Sequence, residues 1–416
     1  MITPNRTAAR RIATARLISL TGSQAALTAL VVAVYARTGS AGWISAVLLV
    51  GFWTAGVLTP LAGSLGDRLD RRRVMIASEA ATAVVAAVTA AFTDSPYALV
   101  LLTLAAAITQ SPYYSASTAA VPNLVPAGDL TWANSTVTIG QNTGALLGPL
   151  AGGVLCAVIG PSAAFAACAV CFACSAAAIA TVHGRFSDPD WSDAPEHAGL
   201  RAGARLVLAD PVLRLVALAW VVLLLMLGPV LVAELPLARS FGAGSGGYGV
   251  LVACWGGGGV AGSFLGRRLA RARERTTMVA GCVLMGAGFA TVAAAPALGI
   301  AFAGMLVAGA AEGAVSVIEQ GILQRRTPDA VRSRAAAAIE TASLWAFALS
   351  FPAAGPLITA AGVHGVYVVA AAGCTASALV LVPAMRALAS PPALSDGAHG
   401  GSLPGCRSER ASPASR

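Results

Sequence analysis

Apolar runs of about twenty residues recur along almost the whole chain, separated by short polar segments that carry most of the arginines. At ~1.5 Å per residue, a run of about 20 residues crosses the hydrocarbon core of a bilayer as a helix. By that rule the sequence predicts twelve spans, at 17–36, 43–65, 74–92, 97–120, 132–158, 161–182, 212–236, 247–266, 277–295, 297–323, 335–360 and 363–385. The polar stretch from His183 to Asp210 separates them six and six. The expected fold is therefore all-α and polytopic. Residues 1–182 form one six-helix bundle, 183–211 a cytoplasmic linker, 212–386 a second six-helix bundle, and 387–416 a Pro-, Ser- and Gly-rich tail expected to be disordered.

Composition agrees with lipid as the solvent. Apolar residues make up 57% of the chain and charged residues 11%, with a mean hydropathy of +0.75. A soluble domain carries about 25% charged residues, and so few could not coat a chain of this length in water. The net charge of +9 does not read as a nucleic-acid footprint, because the charges sit in short loops between apolar runs. All 27 basic residues are Arg, and with the Ala and Gly excess this points to a GC-rich bacterial genome. With the N-terminus placed in the cytoplasm, only Arg37 and Arg239 of those 27 fall outside. That is the positive-inside bias of a twelve-span inner-membrane protein with both termini cytoplasmic. Arg6, Arg10, Arg11 and Arg16 precede a span long enough to stay in the membrane, so no cleaved leader is expected. Most of the eight Cys lie inside apolar runs. Cys168, Cys171 and Cys174 read as packing residues, not as a metal or redox site.

The two halves resemble each other. AGSLGDRLDRRR (Ala62–Arg73) follows the second span and AGSFLGRRLARAR (Ala261–Arg273) follows the eighth. LGPLAGG (Leu147–Gly153) in the fifth span is matched by FPAAGPL (Phe351–Leu357) in the eleventh. A duplicated six-helix unit is a transporter-like organisation.

GSLGDRLDRRRVM (Gly63–Met75) resembles the loop motif between the second and third helices of the major facilitator superfamily. Gly63, Leu65, Asp67, Arg68, Arg71 and Arg72 match it, and Asp70 replaces its second Gly. Gly144, Gly148, Pro149, Gly152 and Gly153 resemble the fifth-helix motif of exporters in that superfamily. Physically, Gly144, Gly148 and Gly152 share a helix face that lets a neighbour approach closely, and Pro149 permits a hinge. PNLVPAGDLTWANS (Pro122–Ser135) and GLRAGARLVLADPVLRLVAL (Gly199–Leu218) resemble the enterobactin-exporter-like, drug-efflux branch. The charged fourth-helix Arg of many members is absent, since Leu99–Ala120 carries no charge. The resemblance implies a secondary active transporter working by alternating access. It further implies proton-coupled efflux, as an antiporter, of a small amphipathic drug, siderophore or secondary metabolite. Uptake by the same fold, or a non-transporting receptor or scaffold, are the alternatives. The chain has neither a Walker-type phosphate loop nor a Lys to complete one, and no HExxH or GxSxG. No enzyme activity, cofactor or metal is expected, and a monomer is.

Ionisable groups inside a bilayer are costly and call for an explanation. Glu312 lies near the middle of the tenth span, and Glu319 falls on almost the same helix face two turns on. Glu312 is a candidate for binding a proton or a cationic substrate, with an interhelical hydrogen bond as the alternative. Glu319 and Glu340 are either coupling candidates or partners of nearby Arg325, Arg326, Arg332 and Arg334, and Glu79 is expected to pair with the Arg71–Arg73 run. Glu234 lies near the outer end of the seventh span, with Arg239 beyond it. Gln24, Gln110, Gln141 and Asn142 are uncharged groups able to line a cavity or join helices. In the resembling family the Asp67/Arg71 loop latches the two halves on the cytoplasmic side. Asp67 would then face the N-terminal dipole of the eleventh helix, just after Arg332 and Arg334. Asp67→Asn is expected to shift the inward–outward equilibrium. Unchanged transport rate and unchanged accessibility of single-cysteine reporters at the gate would refute the latch.

Overall fold

The computed structural model describes residues 4–68, 70–126, 130–182, 186, 199–327 and 329–387. Among these residues the chain forms α-helices and no strand. They are α1 (Pro4–Thr38), α2 (Ala41–Arg68), α3 (Arg71–Ala91), α4 (Pro96–Leu124), α5 (Leu130–Val158), α6 (Pro161–Ala180), α7 (Gly199–Ala209), α8 (Pro211–Ser240), α9 (Gly244–Ala293), α10 (Leu298–Arg326) and α11 (Asp329–Ala387). All but the 11-residue α7 are long enough to cross a membrane.

Two of these helices supply two crossings each, which restores the twelve spans. In α11 the chain breaks at Gly362, whose φ of 70° and ψ of 175° suit a residue without a Cβ. In α9 the apolar stretches Gly244–Leu269 and Arg275–Ala293 both lie along α10. A Cβ added at Gly258 would meet the carbonyl of Leu306, and one added at Gly288 the carbonyl of Gly304. Positions thirty residues apart can share one level of α10 only if the two halves of α9 double back on each other. The predicted polar loop at that reversal is thus reduced to helical turns. At the other extreme, α1 begins at Pro4 and not at the predicted residue 17. Pro suits the first helical position, and the Arg and Ala that follow are strong helix formers. Arg16 therefore lies well inside the helix.

Packing repeats between the halves. In the first, α1 lies on α5, α2 on α4 and α3 on α6. In the second, α8 lies on the first half of α11, with Gly228 against Ser350. The first half of α9 lies on α10, and its second half meets the second half of α11 where Gly286 faces Ala371 and Cys374. The bundle surface is apolar: Leu101, Val170 and Leu379 are each more than 60% exposed, as lipid-facing side chains should be.

Small residues set the approach distances. A Cβ at Gly262 would lie 1.8 Å from the Ala310 carbonyl oxygen, and one at Gly313 2.0 Å from that of Gly259. In lipid, where apolar side chains gain little by leaving one solvent for the other, such close backbone contact is a main source of helix association.

The second bundle is also fastened by a buried ion pair. Asp210 caps α8, accepting from the backbone N–H of Val212 at 2.8 Å and of Leu213 at 3.1 Å. Its other carboxylate oxygen takes Arg326 Nη1, from the last turn of α10, at 2.8 Å. The two side chains are 2% and 8% exposed. Removing one partner of such a pair strands a buried charge, at a cost of about 3–5 kcal/mol. Arg326→Met is expected to destabilise the protein by about that amount, read as a large drop in thermal unfolding temperature in detergent. Arg239→Met, at an exposed site, should leave it nearly unchanged.

Candidate functional site

Each bundle encloses a cavity, and a wall residue of each, Phe52 and Phe347, meet at the seam between the bundles. The N-terminal cavity, of about 340 Å³, is lined by Gln24 of α1, Phe52 of α2, Gln110 and Tyr114 of α4 and Phe172 of α6, among mostly aliphatic neighbours. Gln110 Nε2 donates to Ser23 Oγ, which fixes one polar wall. Gly148 lets α5 lie against α1 at Gln24: a Cβ there would stand 2.5 Å from the Gln24 Cβ. An apolar cavity with a few convergent amide and hydroxyl groups suits an amphipathic ligand.

The C-terminal cavity, of about 270 Å³, is bounded by Trp220 and Glu234 of α8, Trp255 of α9, Glu312 of α10 and Phe347 of α11. The Glu312 carboxyl lies beside Gly259 of α9, 3.7 Å from where a Cβ would be, an ordinary van der Waals distance. Glu234 is 5% exposed, and its Oε2 has no hydrogen-bond partner among the described residues. Phe52 and Phe347 pack edge to face across the seam, with ring centroids 5.2 Å apart, and Phe351 completes the cluster at 5.4 and 5.0 Å.

Of the residues predicted as candidates, Glu312, Gln24 and Gln110 thus line cavities. Glu319 is half-buried and within electrostatic reach of Glu312 and of Glu340, which is exposed. Gln141 is half-buried and Asn142 exposed, and neither lines either cavity. The side chains of Gly63, Asp67, Arg68, Arg332 and Arg334 lie outside the described residues. Arg71 and Arg72 are seen donating to the Phe186 and Ala180 carbonyls. Asp70, the departure from the family pattern, caps α3 by accepting from the N–H of Arg72 and Arg73. The fifth-helix motif is split in role. Gly144, Gly148 and Gly152 face α1 within their own bundle. Gly153 meets Gly249 of α9, where a Cβ would lie 2.9 Å from the Gly249 Cα.

The expected pairing of Glu79 with the arginine run is corrected. Glu79 is 1% exposed and accepts from Ser19 Oγ of α1 at 2.7 Å. Residues 71–73 lie two turns earlier in α3, and Arg71 and Arg72 turn to carbonyl oxygens instead. Arg16, read from sequence as a topology signal, is 6% exposed and donates to Ser117 of α4. A basic group therefore reaches α4 from a neighbouring helix, although α4 carries none. Its spacing from Ser19 and Ser23, three and seven residues on, was the available signal. Nothing in the sequence joined Glu234, Trp220, Trp255 and Phe347, which come from three different helices.

A duplicated twelve-span helical protein with paired cavities on a two-bundle seam is a membrane transporter in architecture. The chain belongs to the Major Facilitator Superfamily, whose model matches residues 12–237 and 226–413. It is similar to the multidrug efflux pump Tap of Mycolicibacterium fortuitum, with 27% identity over 359 residues, covering 80% of this chain and 84% of that protein. Among solved structures it is similar to the nucleoside transporter NupG, with a TM-score of 0.74, 14% identity, and 92% and 100% of the two chains covered. It is similar also to the D-xylose–proton symporter, with a TM-score of 0.70, 16% identity, and 90% and 97% covered. These structures share its fold.

The two glycine environments separate by mutation. Gly148→Ala drives a methyl group into α1 within one bundle and should cost about 1–3 kcal/mol of stability by overpacking. Gly153→Ala acts between bundles. It should lower transport several-fold and shift the inward–outward balance, measured by crosslinking of cysteine pairs across the seam, with a smaller effect on unfolding temperature.

Proposed function

We propose that the chain is a proton-coupled exporter of a small amphipathic molecule, with both termini in the cytoplasm of a bacterial cell. Residues 1–182 and 212–386 act as the two rocking units and 183–211 as the linker. The observation that carries the reading is Glu312: a carboxyl in the middle of a span, lining a cavity that reaches the seam between the bundles. No ion pair to it occurs among the described residues. A carboxyl at mid-span exchanges its proton only through a path to water, so proton exchange there is tied to which side the cavity faces. A group whose charge depends on access can couple proton flow to rocking.

Export is favoured by the efflux-pump relative and by the fifth-helix motif. The described contacts across the seam include Gly42 with Gly355, Gly153 with Gly249, and Arg239 over the Tyr35 ring at 4.7 Å. These lie in the half away from the N-terminal end of α1. With the termini inside, that half faces outward, and the bundles are closed on that side. The N-terminal cavity, with Gln24, Gln110 and Tyr114, then holds the amphipathic cargo.

The test is accumulation of fluorescent dyes and antibiotics in inverted membrane vesicles under an imposed pH gradient. Accumulation should collapse with a protonophore and fall at least ten-fold in Glu312→Gln at equal protein level. Accumulation confined to right-side-out vesicles would make the protein an importer. Accumulation indifferent to the protonophore would remove the proton from the mechanism.

A further inference from the structure

We propose that the C-terminal cavity is a recognition site for a compact organic monocation, an ammonium group carrying short apolar substituents. The inference rests on the reading of the Glu312 cavity as a functional site and names the ligand class it takes.

The lining has two kinds of group that favour such a cation. Trp220, Trp255 and Phe347 supply aromatic rings, whose faces attract a positive charge and whose bodies favour alkyl groups. Glu234 and Glu312 supply carboxyls, and no Arg or His lines the cavity. Trp255 is held in place by stacking on Phe289, with rings 5.6 Å apart and 20° from parallel.

Glu234 is the second, independent observation. Its side chain is buried, it borders the cavity, and one carboxyl oxygen has no hydrogen-bond partner among the described residues. Buried polar groups in folded proteins are rarely left in that condition. The titratable groups that face it from other helices are the hydroxyls of Tyr248 on α9 and Tyr367 on α11, both buried. Of the two cations on its own helix, Arg239 turns away onto Tyr35 of α1, and Arg214 lies at the far end of α8, donating to the Leu208 carbonyl.

The alternatives fit less well. An anion would meet two carboxyls. A neutral apolar molecule would leave both without a partner. A metal ion would find too few ligands, since no group of three or more His, Cys, Asp or Glu able to hold one occurs among the described residues. A monocation satisfies the carboxyls and uses the rings. Because Phe347 also packs on Phe52 across the seam, a cation held here rests against rings that must move when the bundles part.

The test is calorimetric titration of the purified full chain in detergent with tetraethylammonium, without any gradient. Saturable binding is expected, at least ten-fold tighter than that of 3,3-diethylpentane, its uncharged isostere. Glu234→Gln and Glu312→Gln keep the side-chain shape, and each should weaken binding ten-fold or more. Trp255→Leu should weaken it several-fold, and Leu101→Ala, on the exposed outer surface away from both cavities, should leave it unchanged. Equal binding of cation and isostere by the unaltered chain overturns the proposal, as does absence of saturable tetraethylammonium binding, or wild-type affinity in the Glu234→Gln/Glu312→Gln double variant. Export itself is judged in vesicles by the direction of accumulation, so the two readings fail separately.

Discussion

Close backbone contact between helices is the interaction on which this structure depends. Lipid removes the usual drive for apolar side chains to cluster, and what remains is packing at short range and hydrogen bonding. The chain meets this with small residues at four-residue spacing. Gly140, Gly144, Gly148 and Gly152 lie along α1, and Gly258, Gly262 and Gly266 lie along α10. These seams are internal to each bundle, and they hold each bundle as a unit. The functional chemistry sits beside them, because Glu312 is the neighbour of Gly313, whose close approach to the Gly259 carbonyl holds α10 against α9.

Polar groups are placed with equal economy. Thr and Ser hydroxyls within the spans mostly return to a carbonyl one turn back, as Thr21 does to Leu17 and Thr28 to Gln24. Side chains that reach another helix mark the interesting places: Ser19 to Glu79, Gln110 to Ser23 and Arg16 to Ser117 in the first bundle, and Ser377 to the Ala219 carbonyl in the second. The second bundle has its carboxyls instead in a cavity with aromatic walls. The halves share a fold and a packing plan, and differ in where they keep charge.

Much of this was legible in the chain. Apart from the start of α1, hydropathy gave the span positions within a few residues, because a bilayer demands a fixed length of apolar helix whatever the tertiary packing. Arg16 shows where that signal stops. Hydropathy cannot tell a basic residue in the aqueous flank from one drawn inside a helix, since the difference lies in the partner, Ser117, a hundred residues away. Glu79 failed for the same reason: proximity in sequence to arginines suggested a pairing that a hydroxyl on another helix supplied. The glycine pattern of α5 predicted close approach correctly but not to which helix, and only coordinates separate the face turned to α1 from the one turned to α9. The aromatic and acidic lining of the second cavity comes from single residues on separate helices, and no local pattern announces it.

The contact of Gly153 with Gly249 has a mechanical consequence. Two glycines meeting backbone to backbone offer no interlocking side chains, so the joint resists compression but little resists rotation. It also lies toward one face of a slab about 30 Å thick. Turning one rigid bundle by roughly 10° about such a pivot moves its far end by about 5 Å across that thickness, enough to admit or release a small molecule. In the rocking proposed above, the internal seams, with their many clasped turns, would make each bundle the stiff arm and this pair of glycines a fulcrum.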